Sequence, residues 1–484
     1  MSDQPATTRL LSLDVFRGMT IAGMVLVNNP GTWSSIYGPL KHAEWHGITP
    51  TDYIFPFFLF IVGVAVPMAL GKRVEAGISR DIYLKIFQRA AMIFALGLLM
   101  SMIPFFDFTK TEIPYLVKIA LVLAFSAAIF LYLIGKKTEA AIAAGVSAVT
   151  ILTFYLSGSL VIWYNFETMR IPGVLQRIAV CYLVVSIIFL HTTWKQQTLI
   201  GITLLLFYWL LMTVVPVPGC EITSIDDKAC NLAAYLDRVI LTEAHMWRSA
   251  KVFDPEGILS TMPAIVTTLS GVLTGTWLRS GSPPARGGVA AASADGVVLS
   301  DATGESVPPA VAGGDVAEAR AASDSGSFLM PQPSSLNKAA GLFFFGVVLL
   351  AIGWCWSLVF PLNKSLWTSS YVVYTSGLAL CFLGFCYWLI DIKRYQKWAK
   401  PFVIFGVNAL ALFVFSGIFA RLLGMIKVKS PEGTDIPLQK WIFDNIFLPA
   451  ASPVNASLMY AICFILFWLF LMWLLYRRRI YIKV

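Results

Sequence analysis

The chain has 484 residues, of which 57% are hydrophobic, 14% aromatic and only 13% charged. This balance excludes an ordinary soluble globular protein, in which about a quarter of the residues are charged. The net charge of +9 does not indicate a nucleic-acid partner, because the basic residues are scattered among short loops, where the positive-inside effect explains them. We therefore expect an all-α, multi-pass membrane protein whose surroundings are a lipid bilayer.

Many apolar runs approach the ~20 residues that a helix needs to cross a bilayer. The hydrophobic pattern predicts about twelve spans, at roughly 13–28, 51–70, 88–103, 114–134, 140–158, 173–190, 198–215, 258–278, 339–360, 368–390, 401–422 and 455–476. Lys and Arg are concentrated in 71–89, 391–400 and the C-terminal tail, which predicts that these segments and both termini are cytoplasmic. The alternate loops would face outward. No cleavable signal peptide is expected, since Asp14 and Arg17 interrupt the first apolar segment.

The first span carries polar residues at both ends. Asp14 and Arg17 lie one helical turn apart at the cytoplasmic end, where they can pair or anchor the helix at the lipid phosphates. Asn28 closes the span on the outward side. Its amide could donate to a developing oxyanion or could cap the helix, and the residues alone leave both roles open.

The segment 40–63, LKHAEWHGITPTDYIFPFFLFIVG, holds two of the four histidines in front of a long apolar run. Thr51 and Asp52 lie where that helix would be N-capped. A neutral imidazole at this boundary can take a proton near neutral pH, which would suit His42 to general-base chemistry. The alternative is an interfacial histidine among aromatic anchors such as Trp45.

Two further outward segments carry charge. In RIPGVLQR, the side chains of Arg170, Gln176 and Arg177 lie near a helix start, where guanidinium groups and backbone amides favour phosphate. In FDPEGIL, Asp254 and Glu256 could bind the ammonium or hydroxyl groups of an amino sugar. The alternatives are ion pairs between these arginines and carboxylates, Asp237 included, and helix capping.

Three remaining patterns are structural. Of seven cysteines, only Cys220 and Cys230 share an aqueous loop, which predicts a disulfide outside the cytoplasm, and no structural metal is expected. Residues 281–335 are rich in Ala, Gly, Ser and Pro, so a disordered cytoplasmic linker is predicted. Gly271 and Gly275 form a GxxxG pair, which indicates close helix packing.

Eight segments together carry a resemblance to a known family. They occur in the family's order and extend over nearly the whole chain: RLLSLDVFRGMTIAGMVLVNN, KHAEWHGITPTDYIFPFFLFIVG, RIPGVLQR, VPVPGC, AAYLDR, DPEGIL, NKSLW and YRRRIYIKV. The sequence resembles heparan-alpha-glucosaminide N-acetyltransferases, membrane enzymes that acetylate terminal glucosamine with acetyl-CoA. It is similar to the bacterial branch, which implies a bacterial inner (plasma) membrane.

The resemblance implies site residues. Its catalytic histidine corresponds to His42, whereas His46 stands where the human member has an asparagine. Asn28 matches a family asparagine and would help in catalysis. Acetyl-CoA, as co-substrate, would contact Arg17, Asn408 and the RIPGVLQR residues Arg170, Gln176 and Arg177. The amino-sugar acceptor would contact Trp45, Asp52, Asp254 and Glu256. After Asn408 the human GHE is replaced by FSGIF, which puts identical substrate recognition in doubt.

The resemblance also implies a domain organisation. Residues 1–280 and 336–484 would form one transmembrane acyltransferase domain, in which a helical hairpin at about 114–158 is inserted relative to the human member. The human member's large N-terminal lumenal domain is not expected here. Acetyl would pass to glucosamine or a glucosamine-ended sugar, either directly or through an acyl carrier. An amino-sugar transporter is the main alternative, a homodimer is one open assembly state, and no nucleic acid is expected.

Overall fold

Apolar runs separated by short polar loops fold into helices throughout the chain. A computed structural model describes residues 10–279, 333–430 and 433–482. Its α-helices are α1 (Leu11–Asn28), α2 (Ile54–Glu75), α3 (Arg80–Met102), α4 (Tyr115–Leu133), α5 (Lys137–Leu156), α6 (Val174–His191), α7 (Trp194–Val214), α8 (Leu232–Ile240), α9 (Thr261–Arg279), α10 (Pro333–Ser357), α11 (Ser369–Cys386), α12 (Lys400–Val407), α13 (Ala409–Met425), α14 (Leu438–Ile442) and α15 (Pro453–Arg477). The predicted all-α membrane fold is confirmed.

Strand structure is confined, in the described part of the chain, to one small hairpin outside the helices and an isolated bridge. Strand β1 (Lys427–Lys429) pairs antiparallel with β2 (Asp435–Pro437), with Val428 opposite Ile436. The hairpin follows α13 and belongs to the same end of the molecule as the predicted outward loops.

Ten of the described helices are long and apolar enough to cross a membrane. Helices α12 and α13 form an eleventh candidate, which bends by 72° at Asn408. Helix α9 is 19 residues long but is interrupted by Thr, Ser and Gly, and it does not meet the same hydropathy standard. The predicted number of about twelve spans is reached only when the bent pair and α9 are both added to these ten helices.

The predicted span at 401–422 is therefore a broken helix. Helix α12 packs tightly on α1, because a Cβ on Gly406 would lie 2.1 Å from the carbonyl oxygen of Asp14. At the break, Asn408 donates to the Ile480 carbonyl (3.1 Å) and accepts from the Ile482 amide (2.8 Å). These bonds anchor the C-terminal tail inside the bundle, which the hydrophobic pattern could not indicate.

Close packing of α2 on α9 forms the centre of the bundle. A Cβ on Gly271 would lie 2.1 Å from the Phe60 carbonyl oxygen, and one on Gly275 would lie 2.5 Å from that of Val64. The packing role predicted for the GxxxG pair is confirmed. These two helices carry the site, because the outward end of α2 adjoins the His42 loop and α9 follows the DPEGIL segment.

The hairpin of α4 and α5 lies at the edge of the bundle, and most of its side chains face outward from the protein. Its two connecting segments bond to each other: the Asp107 amide donates to the Ile162 carbonyl (2.8 Å), and the Glu112 amide to the Leu160 carbonyl (2.8 Å). Residues 280–332, which hold most of the predicted linker, lie outside the described residues. Helix α10 begins at Pro333, so the last residues of that predicted linker are helical.

Candidate active site

The loop before α2 is organised around one buried carboxylate. Thr49 and Asp52 form a capping box at the short helix Pro50–Tyr53. The N-cap is therefore Thr49 and not the predicted Thr51, whose hydroxyl donates to the Pro39 carbonyl (3.1 Å). The Asp52 side chain is 1% exposed, and its Oδ2 accepts from the amides of Ala43 (3.1 Å) and Thr49 (3.0 Å) and from the Thr49 hydroxyl (3.0 Å). Its Oδ1 lies 2.7 Å from Nδ1 of His42. Asp52 therefore holds His42 in place.

His42 itself is half exposed, with 50% of its side chain accessible. When Nδ1 carries the proton and donates to Asp52, the lone pair of Nε2 is available to take a proton from another molecule. This is the arrangement in which a carboxylate orients a histidine base. The geometry favours a positioning role for Asp52 over the substrate contact expected from the sequence, because its carboxylate is buried and already bonded.

Lys364 reaches the same site from the loop between α10 and α11. Its Nζ lies 2.9 Å from Nδ1 and 3.3 Å from Nε2 of His42, and 3.5 Å from Oδ1 of Asp52. Burial lowers the pKa of the Lys364 ammonium, although the carboxylates of Asp52 and Glu256 act in the opposite direction. Sequence reasoning missed this residue, and its only signal was the NKSLW motif.

The Lys364 loop is rigidly built. Asn363 is fully buried. Its Oδ1 accepts from the Leu366 backbone amide (2.9 Å), and its backbone amide donates to the Thr368 hydroxyl (3.0 Å). Trp367 adopts a φ of 53° and is 1% exposed. A buried loop with these bonds can hold a lysine against a histidine from a distant part of the chain.

Arg170, Asp254 and Glu256 form one ion cluster. Arg170 binds Asp254 through two bonds (2.9 and 2.6 Å) and Glu256 through a third (2.5 Å). Burial opposes the charge of Arg170, but the two carboxylates outweigh it and raise its pKa above the usual value. Because Asp254 is 2% exposed, the geometry favours the ion-pair alternative over direct contacts of Arg170 with phosphate and of Asp254 with a sugar.

Asp237, on α8, lies behind this cluster. Its carboxylate accepts from the amides of Ile258 (2.9 Å) and Asp254 (3.2 Å). Burial raises the pKa of Asp237 to about 6, although these amides favour the charged form. The residue is a structural support whose charge changes near neutral pH.

Arg177 and Gln176 are buried at the start of α6. Arg177 donates to the Gly257 carbonyl (3.1 Å) and the Ser260 hydroxyl, and its guanidinium lies 5.1 Å from the centre of the Trp367 ring. It thus packs beneath the Lys364 loop. Gln176 lines a cavity described below.

Trp45 and His46 bind the loop that the Cys220–Cys230 disulfide closes. The predicted disulfide is present. The Trp45 indole donates to the Ile225 carbonyl (2.9 Å), and His46 Nε2 lies 2.8 Å from Asp226. Both side chains therefore fasten two outward loops together, which gives His46 a structural role in this geometry.

The other predicted residues separate to the two ends of the bundle. Asn28 is exposed at the outward end of α1, while the neighbouring Asn29 bonds back to the Val25 carbonyl (2.8 Å). Arg17 lies at the opposite end, 3.2 Å from Asp14. Asn408 is 1% exposed and occupied by the tail, so the geometry favours an anchoring role for it over contact with acetyl-CoA.

Two large cavities lie at opposite ends of the bundle. The outward cavity, named for the end that is predicted to face outward, has a volume of about 1050 Å³ and is lined in part by Arg170, Gln176, Arg248 and Arg421. The inward one, of about 610 Å³, is lined by apolar side chains with Arg17, Arg89, Tyr182 and Tyr481.

A neck of about 10 Å³ lies between the two cavities. Leu175 lines both cavities and the neck, which is otherwise apolar and includes Phe58, Leu410 and Phe413. That volume is barely the space of one water molecule. The neck is therefore closed in this conformation, and the two ends are separated by a few apolar side chains.

Comparisons with known proteins agree with the motifs. A family model described as Domain of unknown function (DUF5009) matches residues 9–236. Heparan-alpha-glucosaminide N-acetyltransferase of Homo sapiens is 23% identical over 99% of this chain and 62% of its own length. The Mus musculus protein of the same name is 22% identical over 84% of this chain and 53% of its own length. The chain thus spans less than two thirds of either relative. The predicted resemblance to heparan-alpha-glucosaminide N-acetyltransferases is confirmed.

Proposed function

We propose that this protein is a membrane N-acetyltransferase that moves the acetyl group of acetyl-CoA to the amine of glucosamine or a glucosamine-ended sugar. The observation that carries the proposal is the cluster of Asp52, His42 and Lys364, in which an oriented, half-exposed imidazole lies beside a lysine. The names of the two relatives support the reaction class. The proposed setting is the inner membrane of a bacterium, with transfer at its outward face.

In the preferred direct route, the acceptor nitrogen attacks the thioester carbonyl. The N–C bond forms, the C–S bond breaks and CoA leaves as a thiolate. His42 Nε2 removes the proton of the attacking amine and returns it to the thiolate, while Asp52 holds Nδ1. The alternative is double displacement, in which Nε2 first accepts the acetyl group and then passes it to the amine.

Lys364 and Asn28 would stabilise charge during this step. The Lys364 ammonium lies within reach of both ring nitrogens, so its charge would disfavour a protonated amine there and favour negative charge on the thioester oxygen. Asn28 presents an exposed amide at the outward end of α1 and could donate to the same oxygen. We propose these two residues as the oxyanion donors.

The cavities suggest where each substrate enters. Arg17 and Arg89 suit the phosphates of CoA, so the nucleotide would occupy the inward cavity and the pantetheine arm would open the apolar neck. The acceptor would enter through the outward cavity, which has room for a sugar. This division would keep the two substrates on opposite sides of the membrane, and each would have to extend beyond its cavity to reach His42, which lines neither of the two.

The direct test uses purified protein in lipid nanodiscs with acetyl-CoA labelled in the acetyl group. Labelled N-acetylglucosamine should form when glucosamine is added, and none should form with heat-denatured protein. Incubation without acceptor separates the two routes, since labelled protein should accumulate only under double displacement. Absence of product with glucosamine and with its short oligomers would contradict the proposal.

One observation favours a transporter as a second candidate. The break between α12 and α13 gives a discontinuous span, a feature of many transporter sites, and it lies beside the inward cavity. Reconstituted vesicles loaded with buffer and exposed to labelled glucosamine decide between the two. Uptake of unmodified sugar without acetyl-CoA would favour transport, whereas acetylated product that depends on acetyl-CoA favours the enzyme.

A further inference from the structure

The segments on either side of the α4–α5 hairpin form one wall of the outward cavity. Phe106, Asp107 and Lys110 before the hairpin and Trp163 and Tyr164 after it line the cavity. The opposite walls come from the ends of α3 and α13, the start of α6 and the segment 246–248. The cavity is thus built from segments that lie far apart in the sequence.

The cavity is lined by four basic residues, two of which are paired with carboxylates. Arg170 is neutralised by Asp254 and Glu256, and Lys110 lies 4.0 Å from Asp107. Arg248 and Arg421 have no carboxylate partner among the described residues. Arg248 donates to the Thr168 hydroxyl (3.1 Å), and Arg421 donates to the Met100 carbonyl.

Two guanidinium groups bonded only to neutral oxygens retain donors and full charge. Both side chains are exposed to the cavity that they line. A guanidinium binds carboxylate or phosphate oxygens through paired hydrogen bonds, which a neutral hydroxyl cannot match in strength. The cavity is therefore better suited to an anionic ligand than to a neutral one.

We propose that Arg248 and Arg421 form an anion subsite for an acid group, carboxylate or phosphate, on a short amino-sugar acceptor. This inference rests on the proposed function, and it adds the substrate class. The cavity volume of about 1050 Å³ accommodates one to a few sugar units.

Arg170 links this cavity to the reacting groups, although neither His42 nor Lys364 is among the residues that line it. Arg170 lines the same cavity and binds Glu256, whose carboxylate acts electrostatically on Lys364. Lys364 in turn contacts His42 at 2.9 Å. An acceptor held by its acid group at Arg248 and Arg421 would have to extend past Arg170 for its amine to reach His42.

Binding measurements test the subsite without depending on catalysis. Calorimetry on the His42→Ala protein in phosphatidylcholine nanodiscs would compare glucosamine, glucosamine 6-phosphate and a glucosamine–uronic acid disaccharide. At least one anionic sugar should bind more tightly than glucosamine, and Arg248→Met or Arg421→Met should weaken it on the order of 10- to 100-fold. Arg80→Met, at the inward end, is the matched control and should leave binding unchanged. Arg421→Lys should recover part of the loss.

Two results would overturn the subsite. The first is equal binding of neutral and anionic sugars, unchanged by either substitution in protein that remains folded. The second is an effect of the substitutions only on co-purified phosphatidylglycerol, which would assign the arginines to a lipid headgroup. If anionic sugars bind as expected but the wild-type protein transfers no acetyl group, the proposed function fails and the subsite stands.

Discussion

Replacement of Asp52 by asparagine isolates the role of the carboxylate that holds His42. Asparagine has nearly the same size, but it offers one acceptor oxygen where aspartate offers two. Oδ2 of Asp52 accepts three hydrogen bonds from Ala43 and Thr49, and Oδ1 faces His42 and Lys364. If the amide oxygen keeps the loop contacts, the NH₂ group must face Nδ1 of His42.

That contact would switch the His42 imidazole to its other tautomer. An NH₂ donor requires the lone pair of Nδ1, so the proton moves to Nε2 and the base is lost. In a serine protease triad the equivalent substitution lowers kcat about 10,000-fold. We expect a fall of about 100- to 10,000-fold in kcat for acetyl transfer by Asp52→Asn.

The chain supplies a matched control in its second histidine–aspartate pair. His46 and Asp226 are 2.8 Å apart, close to the 2.7 Å of His42 and Asp52, but the Asp226 side chain is 73% exposed. Asp226→Asn should keep kcat within a few-fold of wild type. The assay is the rate of acetyl transfer in nanodiscs, with acetyl-CoA binding as the check on folding. A folded Asp52→Asn protein with a kcat within threefold of wild type would refute the orienting role.

Three further outcomes follow from the same geometry. Lys364→Met should lower kcat about 10- to 1000-fold with little change in acetyl-CoA affinity, whereas Lys364→Arg should recover part of the rate. Equal rates for the wild type and both variants would show that Lys364 has no role in the site. An impermeant reductant that opens Cys220–Cys230 should reduce activity, because the closed loop holds Trp45 and His46; unchanged activity after complete reduction, checked by thiol labelling, would contradict this. The pKa of Asp237 is raised to about 6 from 3.8, so its contribution to stability is complete below about pH 4 and is lost as the pH rises through 6. Between pH 4.5 and 7 the wild type should therefore lose up to ~3 kcal/mol of folding free energy relative to Asp237→Asn, which would be measured as a fall in its apparent Tm. Parallel curves of Tm against pH for the two proteins would refute this.

The membrane fold could be predicted because hydropathy is a local property. A span needs only ~20 apolar residues in succession, and most of the predicted spans correspond to long helices. Cys220 and Cys230 could be paired for a similar reason, since they are close in the sequence. The break at Asn408 could not be predicted, because it depends on bonds to Ile480 and Ile482 in the distant tail.

The site was only partly predictable. His42 stood out through its position and the resemblance, but the role of Asp52 was assigned to substrate because its capping pattern does not reveal which group its second oxygen faces. Lys364 is 322 positions from His42, and only the folded chain brings them together. Likewise, the ion cluster of Arg170 and Asp254 was one of two open alternatives until their distance was known.

The central claim is that the imidazole of His42 carries out the transfer, and a comparison of two alanine variants tests it most directly. Turnover of acetyl-CoA and glucosamine would be measured for purified His42→Ala and His46→Ala proteins that both bind acetyl-CoA. His42→Ala should lose at least about 100- to 10,000-fold in turnover, the range for removal of a general base, while His46→Ala should stay within about tenfold of wild type. Wild-type turnover by the His42→Ala protein would contradict the account and favour the transporter.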